Sequence, residues 1–179
     1  MVPGYPGPRG LESEALRLEA LLGVREVISS RLSRLGSDAI ELLAAAAVLG
    51  HDFDFDTLRR VAELSETEAL SAMDEALANH LLVGTKHEKG YSGKTVYGFS
   101  HDKIRCAVYA EACEARREVL HRRALEVLEA EAAHPAELAY HALATGLQEP
   151  AFQHSLAAGD EAMAVFPKEL LRKFWATPR

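Results

Sequence analysis

The 179-residue sequence has few cysteines, no long apolar run and no apolar leader at its start. Its two cysteines are Cys106 and Cys113, which on one helix would stand about 10 Å apart, too far for a disulfide. The first ten residues are rich in proline and glycine, unlike the apolar core of a secretory signal. The richest apolar stretch, 42–49, is half alanine and too short to span a bilayer. We therefore expect a cytoplasmic protein with reduced thiols and no membrane partner.

Positive charge is also scarce. The chain has 20 basic and 27 acidic residues, a net charge of −7, which argues against the whole chain binding a polyanion. The histidines and cysteines follow none of the spacings of metal sites, and the sequence has no nucleophile elbow. The apolar fraction of 48% is sufficient for a core. The sequence thus predicts a globular protein without a catalytic residue or a metal ligand.

A short motif near the middle of the chain resembles the end of a phosphate-binding loop. Residues 93–95 are Gly-Lys-Thr, but Glu88 stands where the loop requires its first glycine. The residues that follow, 96–99, are β-branched or aromatic and predict a strand, whereas a phosphate loop must open a helix. The glycines of 90–93 favour the turn of a hairpin. Because Walker A and Walker B motifs are missing, we expect that the chain alone does not hydrolyse ATP.

Hydrophobic periodicity predicts a mainly α chain with one β-hairpin. The predicted elements are helices over 11–23, 24–35, 40–49, 57–64 and 66–79, strands over 81–83 and 96–99, and helices from 102 onward, over 136–145 and over 151–166. This is the order of a winged helix, a helical bundle with a two-stranded wing, followed by antiparallel helix pairs of the tetratricopeptide (TPR) type. We accordingly divide the chain into an N-terminal linker and helix (1–23), a winged-helix domain (24–110) and a TPR-like segment with an atypical tail (111–179).

Several helices carry end signals. Ser37 or Asp38 is expected to cap the helix over 40–49, with Glu41 reaching back toward the cap. Asp54 or Asp56 is expected to cap the helix that follows. These signals predict where the first two well-defined helices begin.

The helix before the hairpin opens with a predicted capping box formed by Ser65 and Glu68. Its Leu70, Met73 and Leu77 are spaced to face the core. The helix has no Lys or Arg and carries four carboxylates, on Glu66, Glu68, Asp74 and Glu75. In DNA-binding winged helices this helix enters the major groove, where carboxylates would be repelled by the phosphates. We therefore expect no DNA contact through this segment, although a free-standing winged-helix DNA-binding transcriptional regulator stays the alternative function.

Two clusters of basic residues lie outside that helix. Lys86, Lys89 and Lys94 flank the hairpin turn and are interpreted as charged edges that resist aggregation. The later helix carries four arginines, at 116, 117, 122 and 123, with Glu118 four residues before the third. That spacing predicts a solvated, salt-bridged face.

The segment 99–109, Phe-Ser-His-Asp-Lys-Ile-Arg-Cys-Ala-Val-Tyr, is the most specific motif. It resembles the F-x-H-D-x-I-R-x-A-V-Y segment of bacterial STAND-class signal-transduction ATPases, which are often fused to LuxR-type or SARP-type DNA-binding domains. Residues 24–35 are similar to their V-R-E-x-I-x-x-R-L-x-x-L helix, 45–53 to A-A-V-L-G-x-x-F, and 117–122 to part of R-R-x-x-L-H-R-R. The resemblance covers about residues 24 to 166.

The resemblance implies a non-catalytic regulatory module that closes over ADP held by a preceding NTPase domain and connects it to a TPR-like sensor arm. His101 would point at the β-phosphate of ADP, and Asp102 would fix the local turn. An imidazole can donate a charge-assisted hydrogen bond to a diphosphate. The implied partners are the NTPase domain, in the same protein or another chain, and a protein or small-molecule inducer. ADP or ATP is expected as a cofactor only in that context.

A second interpretation of the motif is structural. Ser100 or Asp102 would cap the helix that follows, with His101 partly exposed. The two interpretations can hold together, since Asp102 can cap while His101 senses. Ser100 also departs from the plant and animal members of the family, which have methionine there.

Overall fold

The computed structural model describes residues 27–50, 52–86 and 95–165. In chain order the elements are 27–32 (α1), Ser37–Leu49 (α2), Phe55–Ala62 (α3), Glu66–Ala78 (α4), Leu82–Lys86 (β1), Thr95–Phe99 (β2), Asp102–Glu111 (α5), Glu114–Ala130 (α6), Pro135–Ala144 (α7) and Gln148–Val165 (α8). The predicted mainly helical fold with a small two-stranded sheet is confirmed. The predicted helix over 11–23, the Gly-Lys pair of the hairpin turn and the tail 167–179 lie outside the described residues.

Helix α2 is the centre of the larger core. Every residue from Leu42 to Val48 is buried, because α3, α4, α5 and α6 all pack against this helix. Its run of alanines lets these neighbours approach closely. The prediction of a buried central helix is confirmed, although Ile40 near its start is partly exposed.

A smaller core lies between the last three helices. It consists of Leu125, Leu138, Ala142 and Ala151, contributed by α6, α7 and α8. The long helix α6 belongs to both cores, since its Leu120, Ala124 and Val127 pack into the larger one. Helix α6 therefore holds α7 and α8 against the rest of the described chain.

The hairpin is antiparallel, with Leu82 opposite Phe99 and Lys86 opposite Thr95. Phe53, before α3, adds an isolated bridge to Tyr97, with hydrogen bonds of 3.0 and 2.8 Å between their backbones. Thr95 begins a strand and not the helix that a phosphate loop requires, as predicted. None of the described helices is long and apolar enough to cross a bilayer.

The predicted cap of α2 is wrong. Gly36 occupies the N-cap position, and neither Ser37 nor Asp38 accepts a capping bond. The Gly36 N–H donates instead to the carboxylate of Glu75 in α4, at 3.1 and 3.3 Å from its two oxygens. Glu41, which the prediction placed in the box, is turned toward α6. The orphan donor is satisfied by a distant helix, which local spacing cannot indicate.

The caps of α3 and α4 agree with the sequence. Asp54, one of two predicted candidates, accepts a hydrogen bond from the Thr57 N–H at 3.0 Å. In α4 both bonds of the capping box form: Ser65 accepts from the Glu68 N–H at 3.3 Å, and Glu68 accepts from the Ser65 N–H at 2.9 Å. Both caps therefore form at predicted residues, and α4 begins where predicted, whereas α3 begins at Phe55, before its predicted start at 57.

The inner face of α4 differs in part from the prediction. Met73 is buried and Leu77 partly buried, as expected, but Leu70 is 49% exposed. Alanines form most of the inner face instead, at positions 69, 72 and 76. Their small side chains allow close packing against α2. With the alanine face turned toward α2, Leu70 points outward.

The arginine cluster of α6 is salt-bridged, as predicted, but to other helices. Arg116 pairs with Glu41 of α2, and Arg123 pairs with Glu63 at the end of α3. The i,i+4 pair predicted within α6 is not among the ion pairs of the described residues. Bridges between helices have replaced it, so the cluster contributes to positioning α6 as well as to its solvated face.

Candidate functional site

The corner between β2 and α5 consists of Ser100 and His101. The Ser100 N–H donates to the Leu81 carbonyl at 3.0 Å, and its hydroxyl donates to the His80 carbonyl at 2.7 Å. These bonds tie the corner to the turn that joins α4 to β1. Ser100 is therefore committed to the backbone of another segment and does not cap α5.

His101 occupies the N-cap position of α5, with an extended backbone at φ −149° and ψ 139°. No side chain makes a capping bond at this end of the helix, so the interpretation of Ser100 or Asp102 as the cap is wrong. The imidazole is exposed, and within the described ranges it makes no hydrogen bond or ion pair. The ring is thus available to a group approaching from outside.

Asp102 is the first residue of α5 and contacts its own helix. It accepts a hydrogen bond from Arg105 Nε at 2.8 Å, and Cys106 Sγ lies 3.7 Å from its other oxygen. The hydrogen bond from Asp102 raises the pKa of Arg105. Asp102 therefore orients Arg105 at the start of the helix, a role that neither predicted interpretation contains.

The charges of the corner leave a small positive excess. The carboxylate of Asp102 is balanced by Arg105, and Lys103 is exposed on the next position of the helix. An imidazole N–H and an ammonium group can both donate to an anion, and the start of a helix adds a favourable dipole. This arrangement can hold an anion weakly. The described residues contain no group of three or more potential metal ligands.

A second polar cluster, buried between α5, α6 and α7, was not predicted. Tyr109 Oη lies 3.0 Å from His121 Nε2, and His121 Nδ1 lies 2.9 Å from His141 Nδ1. The two imidazoles are 1% and 2% exposed. Tyr140 packs edge-on against both rings, and the Arg117 guanidinium lies 5.1 Å from the centre of the Tyr109 ring. This Tyr109–His121–His141 network joins the three helices.

Burial favours the neutral form of both histidines. Burial lowers the pKa of His121, and the nearby Arg117 charge lowers it further. Burial and the neighbouring His121 lower the pKa of His141 to about 4. Both rings are therefore neutral at neutral pH, and each contact in the network has one donor and one acceptor.

The sequence carried only an indirect signal of this network. His121 and His141 are 20 residues apart on different helices, and no metal or catalytic spacing connects them. His141 lies in a mostly apolar helix, Pro135–Ala144, and a histidine at an inward position of such a helix needs a buried partner. The partner itself could not be identified without the packing of α6 on α7.

Two cavities lie elsewhere on the described chain. One of about 300 Å³ lies between α1, α2, α5 and α6, with Leu32, Leu43 and Val108 in its walls. The other, of about 440 Å³, is bordered by Asp54, Glu131 and other carboxylates near the start of α7. Neither of these two cavities is lined by His101.

Comparison with known proteins finds similarity over most of the chain. An uncharacterized protein of Rhizobium meliloti (strain 1021) is 30% identical over 156 residues. The match covers 84% of this chain but 15% of that protein, so the chain spans a small part of its relative's length. No family model matches the chain, and no solved structure matches it significantly.

Proposed function

We propose that the chain is a non-catalytic regulatory module of a STAND-type signal-transduction ATPase. In this proposal it closes over ADP held by a preceding NTPase domain and links that domain to a helical sensor arm. The observation that carries the proposal is the position of His101. Its ring is exposed at the β2–α5 corner, inside the one segment, 99–109, that resembles the family most specifically.

The order of elements supports the finer fold that the proposal requires. Helices α2, α3 and α4 precede the hairpin, as the helices of a winged helix precede its wing. Helices α7 and α8 pack together on α6 around a small core of their own, which suits the first pair of a TPR-like arm. The long helix α6 would transmit displacement between the arm and the winged helix.

The chemistry of the corner supports a diphosphate as the group that His101 contacts. Asp102 would repel an anion, but its charge is balanced by Arg105 at 2.8 Å. Lys103 is exposed beside it, and the start of α5 lacks a side-chain cap that would occupy its N–H groups. A charge-assisted bond from an imidazole to a phosphate oxygen contributes about 1.5–3 kcal/mol. One such bond cannot replace a phosphate loop, so ADP must be held mainly by the partner domain.

The length of the relative is compatible with this context, since the matched region is 15% of that protein and leaves room for other domains. The DNA-binding alternative is not favoured by α4. Its exposed residues include Glu66, Glu68 and Asp74, and the helix has no cation. Within the proposal, transcriptional output belongs to another domain.

The test is the rate at which ADP leaves the complete ATPase that carries this module. A fluorescent ADP analogue is loaded, chased with unlabelled ADP and followed by stopped flow. His101→Ala is expected to accelerate release roughly ten- to a hundredfold, the equivalent of the lost charge-assisted bond. His80→Asn is the matched control. It removes another exposed histidine near the corner, at a left-handed backbone position (φ 54°) that asparagine tolerates. Equal release rates for His101→Ala and the wild type would reject the sensor role.

A further inference from the structure

Helix α8 carries an apolar stripe that no described element covers. Phe152, Leu156 and Met163 are 66%, 57% and 60% exposed. Their spacing places them on one face of the helix, over a length of about 16 Å. Gly159 lies on the same face, and nothing stands within 4 Å of the position where its Cβ would be. The stripe is therefore long, apolar and open to close approach by another helix.

Helix α7 adds to the apolar surface of this pair. Tyr140, Leu143 and Leu147, on α7 and just after it, are also exposed. A row of exposed apolar side chains on one helix face, such as the stripe of α8, marks a contact site more often than single exposed residues do.

The negative charge of α7 and α8 favours a basic segment as the partner of the stripe. Helices α7 and α8 contain no Lys or Arg and carry four carboxylates, at positions 137, 149, 160 and 161, of which Glu161 pairs with His134. A covering segment must therefore be apolar on one face and basic on the other, because a second acidic helix would be repelled.

Residues 167–179 of this chain have that chemistry. They contain four basic residues and one acidic residue. Leu170, Leu171, Phe174 and Trp175 recur at helical spacing and would share one face. The segment follows α8 directly, and Pro167 suits the first position of a new helix. As a helix that ends before Pro178, 168–177 would measure about 15 Å, close to the length of the stripe.

We propose that residues 167–179 fold back as a basic amphipathic helix on the Phe152–Leu156–Met163 stripe of α8. The contact would bury Phe174 and Trp175 against the stripe and set the basic residues among the carboxylates of α7 and α8. The inference rests on the α8 surface and the charge of the two segments, and it is independent of the proposed nucleotide-sensing function.

Trp175 is the single tryptophan of the chain, so its fluorescence reports on the contact. In the full chain its emission is expected to be blue-shifted from that of a synthetic peptide of residues 166–179, and protected from acrylamide quenching. The double variant Phe152→Ser with Leu156→Ser is expected to shift the emission back to that of the peptide. Leu70→Ser is the matched control, since Leu70 is an exposed leucine on α4, away from this stripe.

A second variant changes only residues of the segment 167–179 and leaves α8 unchanged. Replacing Lys168, Arg172 and Lys173 by glutamate is expected to release Trp175 as well, because the tail would then face carboxylates of its own sign. Salt at about 1 M, where the Debye length is about 3 Å, is expected to weaken the contact in the wild type but not to abolish its apolar part.

Three results would overturn the proposal. Emission of the full chain equal to that of the free peptide would mean that the tail is in water. A blue shift that survives both variants would place Trp175 on another surface. A blue shift that disappears on dilution, together with a larger hydrodynamic radius at high concentration, would assign the stripe to a second copy of the chain.

Discussion

The Nδ1 atoms of His121 and His141 lie 2.9 Å apart, between α6 and α7. At that distance one imidazole must donate and the other accept, so the pair holds a single proton between its facing nitrogens. A second proton would place two donors against each other in a buried site. Tyr109 from α5, Arg117 from α6 and Tyr140 from α7 face the pair, and His141 also lines a cavity with the carboxylates of Glu131 and Glu137. The pKa of His141 is nevertheless lowered, because burial and the neighbouring His121 disfavour its charged form.

The free energy of unfolding is therefore expected to fall as the solution becomes more acidic. Histidines of the unfolded chain bind protons near pH 6.5, whereas His141 in the folded chain binds one near pH 4. The contribution of His141 to the free energy of unfolding is fully present above about pH 7 and is lost as the pH falls from about 6.5 to about 4. The slope for this residue is at most about 1.4 kcal/mol per pH unit, and the total loss is about 3 kcal/mol. Urea unfolding at a series of pH values measures this slope.

His141→Asn tests the origin of the slope. Asparagine keeps a nitrogen or oxygen toward His121 but cannot titrate, so the variant should lose stability at neutral pH and show a shallower pH dependence. His80→Asn is the control and should keep the wild-type profile, since His80 is exposed. An unchanged slope in His141→Asn would show that other groups cause the acid sensitivity.

Tyr109→Phe is expected to lower the free energy of unfolding by about 1–3 kcal/mol, because it leaves the buried Nε2 of His121 without its partner at 3.0 Å. The matched control is Tyr140→Phe. Tyr140 also contacts the imidazoles through its ring, but its hydroxyl makes no hydrogen bond with the described residues. Chemical denaturation should separate the two variants, and equal effects would contradict a specific role for the Tyr109 hydroxyl.

Substitutions of His101 and Asp102 are expected to change the free energy of unfolding by different amounts. His101→Ala should change the free energy of unfolding by less than about 0.5 kcal/mol, since the ring is exposed and makes no bond within the described chain. Asp102→Ala should cost about 1 kcal/mol, from the lost pair with Arg105 and the lost carboxylate at a helix N-terminus. Thermal unfolding measures both, and a large loss in His101→Ala would indicate a structural role for the ring.

The capping box of α4 gives a prediction with an internal control. Ser65→Ala removes the side chain that accepts from the Glu68 N–H and should cost about 1 kcal/mol. Ser71→Ala, on the exposed face of the same helix, should be neutral or slightly stabilising because alanine is the better helix former. Similar losses in both variants would show that the box contributes little.

Sequence patterns were sufficient where the interacting residues are close in the chain. The capping box of α4 spans three residues, and the strands on each side of the hairpin turn are recognisable by composition. The position of Leu70 was mispredicted because the inner face of α4 is chosen by close packing of alanines on α2, which outweighs the size of the leucine. Helical periodicity alone does not decide between a small-residue face and a large-residue face.

In the candidate site, too, the residues of a contiguous motif could be predicted, whereas contacts between distant helices could not. His101 could be singled out because it belongs to a contiguous motif, and the structure places it at an exposed corner. The Arg105 partner of Asp102 is three residues away, but a capping role looked equally compatible with the sequence. The pairing of His121 with His141 depends on how α7 lies on α6, and no pattern within either helix specifies that.

The bond from Gly36 to Glu75 has a consequence for the order in which the chain can fold. The two residues are 39 positions apart, so the start of the central helix α2 is completed by a residue that is synthesised later. At about 5–20 residues per second, translation delivers Glu75 about two to eight seconds after Gly36. During that interval the exposed Gly36 N–H bonds to water, and the apolar surface of α2 stays uncovered until α5 and α6, which also pack on it, have been made. The central helix is therefore fully covered only after translation has passed Ala130, the last residue of α6, which is 81 residues after Leu49 at the end of α2.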